Sequence, residues 1–183
     1  MPDARSPRRP APRTLPPLDT AKLERLALRY VERFATTRGK LVDYLGRKVR
    51  ERGWDGAPPD AVALAERMAA LGYIDDLAYA QSRAAALGRR GLGARRVTGA
   101  LQQARVEEAD REAVAPEVAE RAVDTALAFA KRKRLGPWAR ELGDRAVREK
   151  QLAAMLRAGH PMDLSRRILA FPPGVEPDAD ALE

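Results

Sequence analysis

Residues 72–106 constrain the fold of this chain more than any other stretch, because they place two helical patterns on either side of a short glycine turn. Asp75 and Asp76 stand at the start of the first helix, where carboxylates bind free amides and complement the helix dipole. Gly91 and Gly93 then interrupt the pattern, since two glycines so close together favour a turn. The apolar positions at helical spacing before that turn are Leu77, Ala80, Ala84 and Leu87. The stretch predicts a compact pair of helices.

Similar patterns flank this stretch on both sides. The preceding part has an amphipathic helix from near Asp19, a second helix capped by Thr36 or Thr37, and a third helix that opens at Asp60. The chain shows almost no alternation of apolar and polar residues, so strands are not expected. An all-α fold follows from the pattern.

The helical patterns divide the chain into five segments. The middle unit closes with a short helix near 108–114, and Pro116 starts the last unit. The predicted segments are a disordered Pro/Arg-rich tail at 1–17, helical repeats at 18–72, 73–115 and 116–170, and an acidic flexible tail at 171–183. Hydrophobic residues make up 45% of the chain, but many are alanine and aromatic residues are only 5%. Such side chains bury little area each, which favours a thin, extended core.

Composition excludes several classes of protein. The chain has no cysteine, so disulfides, cysteine nucleophiles and cysteine-type zinc sites are excluded. It has no apolar run of about 18 residues and no secretory signal, so we expect a soluble cytoplasmic protein without membrane contact. The single histidine, His160, has no nucleophile or nucleotide-binding motif beside it. We therefore expect neither catalysis nor a metal or other cofactor, and assign His160 to packing or capping.

The net charge of +8 indicates a polyanionic partner or an acidic protein surface, although a basic surface without function is the alternative. Two groups of basic residues stand out. The arginine cluster consists of Arg89, Arg90, Arg95 and Arg96, and the lysine–arginine run consists of Lys131, Arg132, Lys133 and Arg134. Guanidinium groups bind phosphates or carboxylates bidentately. For the lysine–arginine run, partner binding and a favourable contact with a helix C-terminus are equally good interpretations.

The order of these parts resembles the RecX family, small helical-repeat proteins that bind and regulate the RecA recombinase. The matching runs are Gly72–Asp76, Tyr79–Ala80 and Arg90–Val97, and the resemblance spans about residues 20–170. It implies an all-α fold of three tandem three-helix repeats that form an elongated, curved array. It also implies a partner, the RecA filament, and no catalytic residue. We expect the chain to act as a monomer.

The chain departs from the family pattern at several positions. Lys40 stands where the family has an acidic residue, so Thr37 keeps only half of a capping box. Arg105 replaces a glycine, which argues against a left-handed helix end at that position. His160 replaces an aromatic residue. The stretch 45–53 is about one helical turn longer than the family pattern, which keeps the apolar face in phase.

Three functions are consistent with these features. The first is a regulator that docks on the RecA–single-stranded DNA filament and slows its growth, ATP hydrolysis and strand exchange, with the arginine cluster as part of the surface. The second is a non-specific single-stranded nucleic-acid-binding protein that acts indirectly and makes weak DNA contacts. The third is a helical scaffold for another acidic protein. The aromatic residues are expected to be core anchors rather than base-stacking platforms; they include Trp54, Tyr73, Tyr79 and Trp138.

Overall fold

The computed structural model describes residues 16–182, and within that range the chain folds into nine α-helices and no strands. The all-α prediction is confirmed. The helices are α1 (Thr20–Arg33), α2 (Arg38–Arg52), α3 (Ala61–Ala70), α4 (Asp76–Arg89), α5 (Ala94–Gln103), α6 (Glu108–Glu120), α7 (Ala122–Lys133), α8 (Arg145–Ala158) and α9 (Met162–Ala170). Short 3₁₀ turns lie at Gly136–Trp138 and Asp180–Leu182. Most of the predicted N-terminal tail, residues 1–15, lies outside the described residues.

Side-chain caps fix the starts of five helices. Each cap accepts a hydrogen bond from the backbone amide three residues further along the chain, which satisfies one of the unpaired donors at a helix N-terminus. The capping residues are Asp19, Thr37, Asp60, Asp75 and Asp144. The predicted helix starts near Asp19, Thr37, Asp60 and Asp75 are thereby confirmed.

The buried apolar side chains form three separate clusters along the chain. The first lies within residues 18–74, the second within 80–114 and the third within 126–182. We name the helices that build them the first unit (α1–α3), second unit (α4–α6) and third unit (α7–α9). Many core positions are alanine, such as Ala27, Ala80 and Ala126, each fully buried. Each unit therefore has a small core of its own, in keeping with a thin core.

Helix α6 corrects the prediction that the last unit starts near Pro116. The helix continues through Pro116 to Glu120, so the predicted bound between residues 115 and 116 falls inside it. Proline removes one amide from the helical hydrogen bonds. Pro116 is exposed, so water can bind the carbonyl that this leaves without an intrahelical partner. The chain breaks instead at Arg121, between α6 and α7.

The acidic C-terminal segment folds back on the third unit, although the sequence led us to expect a flexible tail from residue 171. Leu182 is only 2% exposed and belongs to the third apolar cluster. Its carbonyl accepts a hydrogen bond from Arg167 at 2.6 Å, and the Gly174 amide donates to the Pro137 carbonyl at 2.9 Å. The apolar leucine near the chain end outweighs the acidic character of the segment around it.

Arg105 ends α5 in the left-handed conformation. The sequence predicted otherwise, because residues other than glycine disfavour that conformation. Its φ is 58°, and its amide donates to the Gln102 carbonyl. The next amide, that of Val106, donates to the Leu101 carbonyl, which completes a Schellman motif. Arginine here therefore adopts the left-handed conformation that a glycine would adopt at a helix end.

No helix within residues 16–182 is both long enough and apolar enough to cross a membrane.

Candidate functional site

The turn between α4 and α5 is held against the end of α8 by backbone hydrogen bonds. The Gly93 amide donates to the Ala158 carbonyl at 2.9 Å, and the Arg95 amide donates to the Gly159 carbonyl at 3.3 Å. A Cβ at Gly93 would lie 2.5 Å from the Gly159 oxygen, so glycine is required for this approach. The second and third units are thus joined backbone to backbone.

The first and second units meet in the same way. The Thr37 hydroxyl, at the start of α2, donates to the Ala104 carbonyl at the end of α5, 2.5 Å away. Gly39 packs so closely on Arg105 that a Cβ there would collide with the arginine side chain. In both junctions the start of one unit's second helix contacts the end of the next unit's second helix. The repeated contact fixes the position of each unit relative to the next.

The arginine cluster lies beside the second of these junctions. All four side chains are exposed, and none has a carboxylate within 4 Å among residues 16–182. Arg95 and Arg96 lie in the first turn of α5, which has no acidic residue and no side-chain cap. Positive charge there opposes the helix dipole and does not stabilise the helix. Arg95 and Arg96 are therefore better explained by a partner than by folding, whereas Arg89 lies in the last turn of α4, where positive charge interacts favourably with the dipole.

The lysine–arginine run is engaged within the protein to a greater extent. All four of its side chains are exposed, but Lys131 lies 3.3 Å from Glu176, and Arg132 lies over the Phe129 ring. Lys131–Lys133 occupy the last turn of α7, where positive charge interacts favourably with the dipole. Arg134 ends the helix with a φ of 55°. These contacts favour the structural interpretation of this run.

The structure brings the two basic groups to neighbouring positions. A Cβ at Gly91, between the two arginine pairs, would lie 3.0 Å from the Phe129 backbone nitrogen in α7. Arg132 is one helical turn further along α7 and covers the ring of Phe129. The α4–α5 turn and Arg132 of α7 thus lie against the same residue, Phe129.

His160 is buried against the α4–α5 turn and Phe129. Its side chain is 1% exposed, its Nε2 lies 3.2 Å from the Gly91 carbonyl oxygen, and its ring centroid lies 5.5 Å from that of Phe129. Burial lowers the pKa of His160, and the contact with the Gly91 carbonyl opposes that shift only in part. A neutral imidazole that donates from Nε2 fits the site. The geometry is that of a packing residue, as the sequence indicated.

Comparison with known proteins shows what kind of protein carries this surface. No family model matches the chain. The chain is 32% identical to the regulatory protein RecX of Myxococcus xanthus (strain DK1622) over 159 residues, which cover 80% of this chain and 83% of the relative. The chain belongs to the RecX family. The RecX crystal structure from Lactobacillus salivarius has the same fold, with a TM-score of 0.63 at 19% identity; the match covers 81% of this chain and 95% of that one.

One feature of this RecX chain could not be anticipated from sequence motifs. Arg38 donates to Asp76 from its backbone amide at 2.9 Å and from its Nε at 2.8 Å, although the residues lie in different units. Its other nitrogens reach Glu66, Glu107 and Asp110 at 3.2–3.8 Å. The sequence predicted that Asp76 would stabilise the start of its own helix, where Asp75 alone provides the cap. Asp76 caps α2 instead.

Two surface residues of this RecX chain were also missed. Tyr73, expected in the core, is 47% exposed, because it follows the left-handed Gly72 at the end of α3. The other three aromatic residues of that prediction, Trp54, Tyr79 and Trp138, are half-buried against the apolar clusters. Arg83 is exposed on α4 and has no carboxylate within 4 Å in the described range. Its spacing of seven residues from Arg90 was the available signal, since that spacing is two helical turns.

Proposed function

We propose that this chain regulates the RecA recombinase by binding the RecA–single-stranded DNA filament and restraining its growth, ATP hydrolysis and strand exchange. In this role it affects recombination and DNA repair. Membership of the RecX family supports a regulatory role, and the family resemblance names RecA as the partner. In the proposal the chain acts in the cytoplasm as a monomer, without catalysis and without a cofactor.

The observation that carries the proposal is the uncompensated arginine cluster at a rigid junction. Four exposed guanidinium groups that have no carboxylate within 4 Å among residues 16–182 can make bidentate contacts with carboxylates or phosphates. The backbone bonds of Gly93 and Arg95 hold the start of α5 in place, so little backbone conformational entropy is lost there on binding. A RecA–DNA filament offers both kinds of anion.

The arrangement of units supports binding to the filament over binding to free RecA. We group the helices as three repeats, with the bound between the second and third moved to Arg121. Such an array presents a surface at each unit, and adjacent RecA protomers repeat the matching surface along the filament. Simultaneous contacts raise the overall affinity without any one contact being strong.

Non-specific binding of single-stranded nucleic acid is the second candidate, since the same arginines would contact phosphates. Such binding weakens steeply with salt, with a log–log slope of about −0.7 for each phosphate contacted. The two candidates differ in how RecA on the DNA changes the affinity of this chain. For a filament regulator, RecA on the DNA raises the affinity; for a nucleic-acid binder, RecA competes for the same phosphates.

Binding of the fluorescently labelled chain to a single-stranded oligonucleotide, with and without a saturating coat of RecA, separates these candidates. At about 0.15 M salt, where counterion release weakens phosphate contacts, we expect the coated oligonucleotide to bind at least about tenfold more tightly. Equal or weaker binding to the coated oligonucleotide would contradict the proposal and support nucleic-acid binding.

A further inference from the structure

We infer that one face of α4, together with Leu71 and Tyr73, is a docking surface for an acidic protein segment of the RecA filament. That segment carries carboxylates along its length and an apolar side chain at one end. The inference rests on the proposed function and specifies the chemistry of the partner. The arginine cluster is its basic end, but the remainder of the surface lies in the first unit and along α4. We name this surface the α4 face.

The apolar end of the α4 face is centred on Tyr73. Tyr73 lines a groove with Leu28, Met68 and Leu71, between α1 and α3. It also lines a second groove, formed by the α1–α2 connection and by α4. Leu71 is 63% exposed and Tyr73 is 47% exposed, so two large apolar side chains stand at the meeting point of two grooves. An exposed apolar pair in that setting is typical of a protein-binding site.

The second groove follows one face of α4. The α4 residues that line it have the spacing of a single helical face: Ala78, Tyr79, Ser82, Arg83 and Ala86. Arg89, the last residue of α4, comes eleven residues after Ala78, which is three full helical turns. The face that begins at Tyr73 therefore leads through Arg83 to Arg89 and the rest of the arginine cluster.

Charge along the α4 face selects an acidic partner. Arg83 and Arg89 are exposed, and neither has a carboxylate within 4 Å in residues 16–182. Among the described residues, Asp75 contributes the carboxylate that lines the groove, and one of its two oxygens accepts a hydrogen bond from the Ala78 amide. Carboxylates of a partner segment would meet guanidinium groups that form no ion pair within residues 16–182.

The dimensions and composition favour a protein segment over DNA. The fourteen residues of α4 extend about 20 Å at 1.5 Å per residue, which matches a partner helix of four turns. A nucleic-acid strand needs positive charge along its whole path. The Tyr73 end instead offers mainly apolar side chains, and of the two arginines that line the first groove, Arg67 is paired with Glu24 at 2.6 Å. A segment with an apolar side chain followed by carboxylates would place the apolar side chain at Tyr73 and the carboxylates at the arginines.

The test compares Leu71→Gln/Tyr73→Ser and Arg83→Glu with a control of similar exposure, Leu142→Gln/Val147→Gln, in the full chain. Leu142 and Val147 are 69% and 41% exposed and lie in the third unit, away from the α4 face. For each protein, affinity is measured for a RecA-coated single-stranded oligonucleotide and for the bare oligonucleotide. Thermal unfolding verifies that each variant is folded; a variant that fails this check is replaced by the milder Leu71→Ala or Arg83→Gln.

We expect both α4-face variants to bind the coated oligonucleotide about tenfold more weakly, with binding to bare DNA unchanged for Leu71→Gln/Tyr73→Ser. The control should bind like the original chain. Unchanged binding of the variants to the coated oligonucleotide would overturn the inference and leave the proposed function intact. An equal loss for Leu71→Gln/Tyr73→Ser on both oligonucleotides would also overturn it, as it would show a DNA-binding face. If the original chain gains no affinity from RecA, the proposed function fails, and the inference fails with it.

Discussion

The carboxylate of Asp76 binds Arg38 twice, at the backbone amide and at the guanidinium, and so joins the first and second units. The Asp76 side chain is 2% exposed, and that of Arg38 is 26% exposed. The hydrogen bond to Asp76, with help from Glu66 and Glu107, raises the pKa of Arg38 above its already high ordinary value. Arg38 is therefore charged at every accessible pH, and Asp76 has a permanent partner.

Removal of Arg38 should destabilise the protein strongly. Arg38→Ala leaves a buried carboxylate without its cation, which costs about 3 kcal/mol in the free energy of unfolding. The matched control is Arg67→Ala, which breaks an exposed pair with Glu24 and should cost less than about 1 kcal/mol. Urea denaturation measures both values. Equal effects of the two substitutions would show that the buried pair does not join the units.

A methyl group at Gly93 should separate the second and third units. Gly93→Ala would place a Cβ against the backbone of Gly159 and His160, which cannot move aside as a flexible side chain would. We expect a loss of about 2 kcal/mol in the free energy of unfolding. Gly99→Ala is the control, because nothing lies within 4 Å of a Cβ there, and it should stabilise α5 by about 0.5–1 kcal/mol. A neutral or stabilising Gly93→Ala would contradict the close backbone contact.

His160 should make stability depend on pH. Its pKa is lowered in the folded protein, so below the ordinary value of about 6.5 the unfolded chain binds a proton that the folded chain does not. Stability should therefore be unaffected by this residue above about pH 6.5 and fall as the pH drops towards the folded-state pKa. The slope contributed by one such group is at most about 1.4 kcal/mol per pH unit.

Comparison with His160→Phe isolates this contribution, since the acidic groups titrate in both proteins. As the pH is lowered from about 7.5 to about 5, the free energy of unfolding should fall more for the original chain than for His160→Phe. This range spans the ordinary histidine pKa of about 6.5. A constant difference across that range would mean that His160 does not stay neutral in the folded protein.

Much of the local structure was predictable because its causes lie within a few residues. The caps at Asp19, Thr37 and Asp75 each bind an amide three residues away, and the glycine turn at Gly91 and Gly93 follows from local backbone freedom. The four members of the arginine cluster were expected to share one exposed surface, and the structure places all four beside the second junction.

The contacts that join the units could not be predicted in the same way. Arg38 and Asp76 are 38 residues apart in sequence, and the Thr37–Ala104 hydrogen bond spans 67 residues. Local patterns carry no information on such pairs. The predictions at α6 and at the C-terminus, which relied on a proline and on acidic residues, were wrong because the exposure of Pro116 and the burial of Leu182 depend on tertiary packing.

The arginine cluster should be necessary for filament binding but not for folding. Alanine substitution at Arg89, Arg90, Arg95 and Arg96 should weaken binding to RecA-coated DNA by at least about tenfold and change the unfolding free energy by no more than about 0.5 kcal/mol. The control substitutes four other exposed arginines, Arg29, Arg50, Arg140 and Arg148, and removes the same charge. Equal losses for the two quadruple variants would show that only net charge matters.

The ATPase activity of RecA on excess single-stranded DNA, measured while this chain is added at moderate salt, tests the central claim most directly. A regulator that acts on the filament should inhibit ATP hydrolysis at ratios well below one chain for each RecA protomer, because one bound chain affects many protomers. Inhibition that begins only when the chain saturates the DNA itself would contradict filament-directed regulation. The RecX fold would then serve general nucleic-acid binding in this protein.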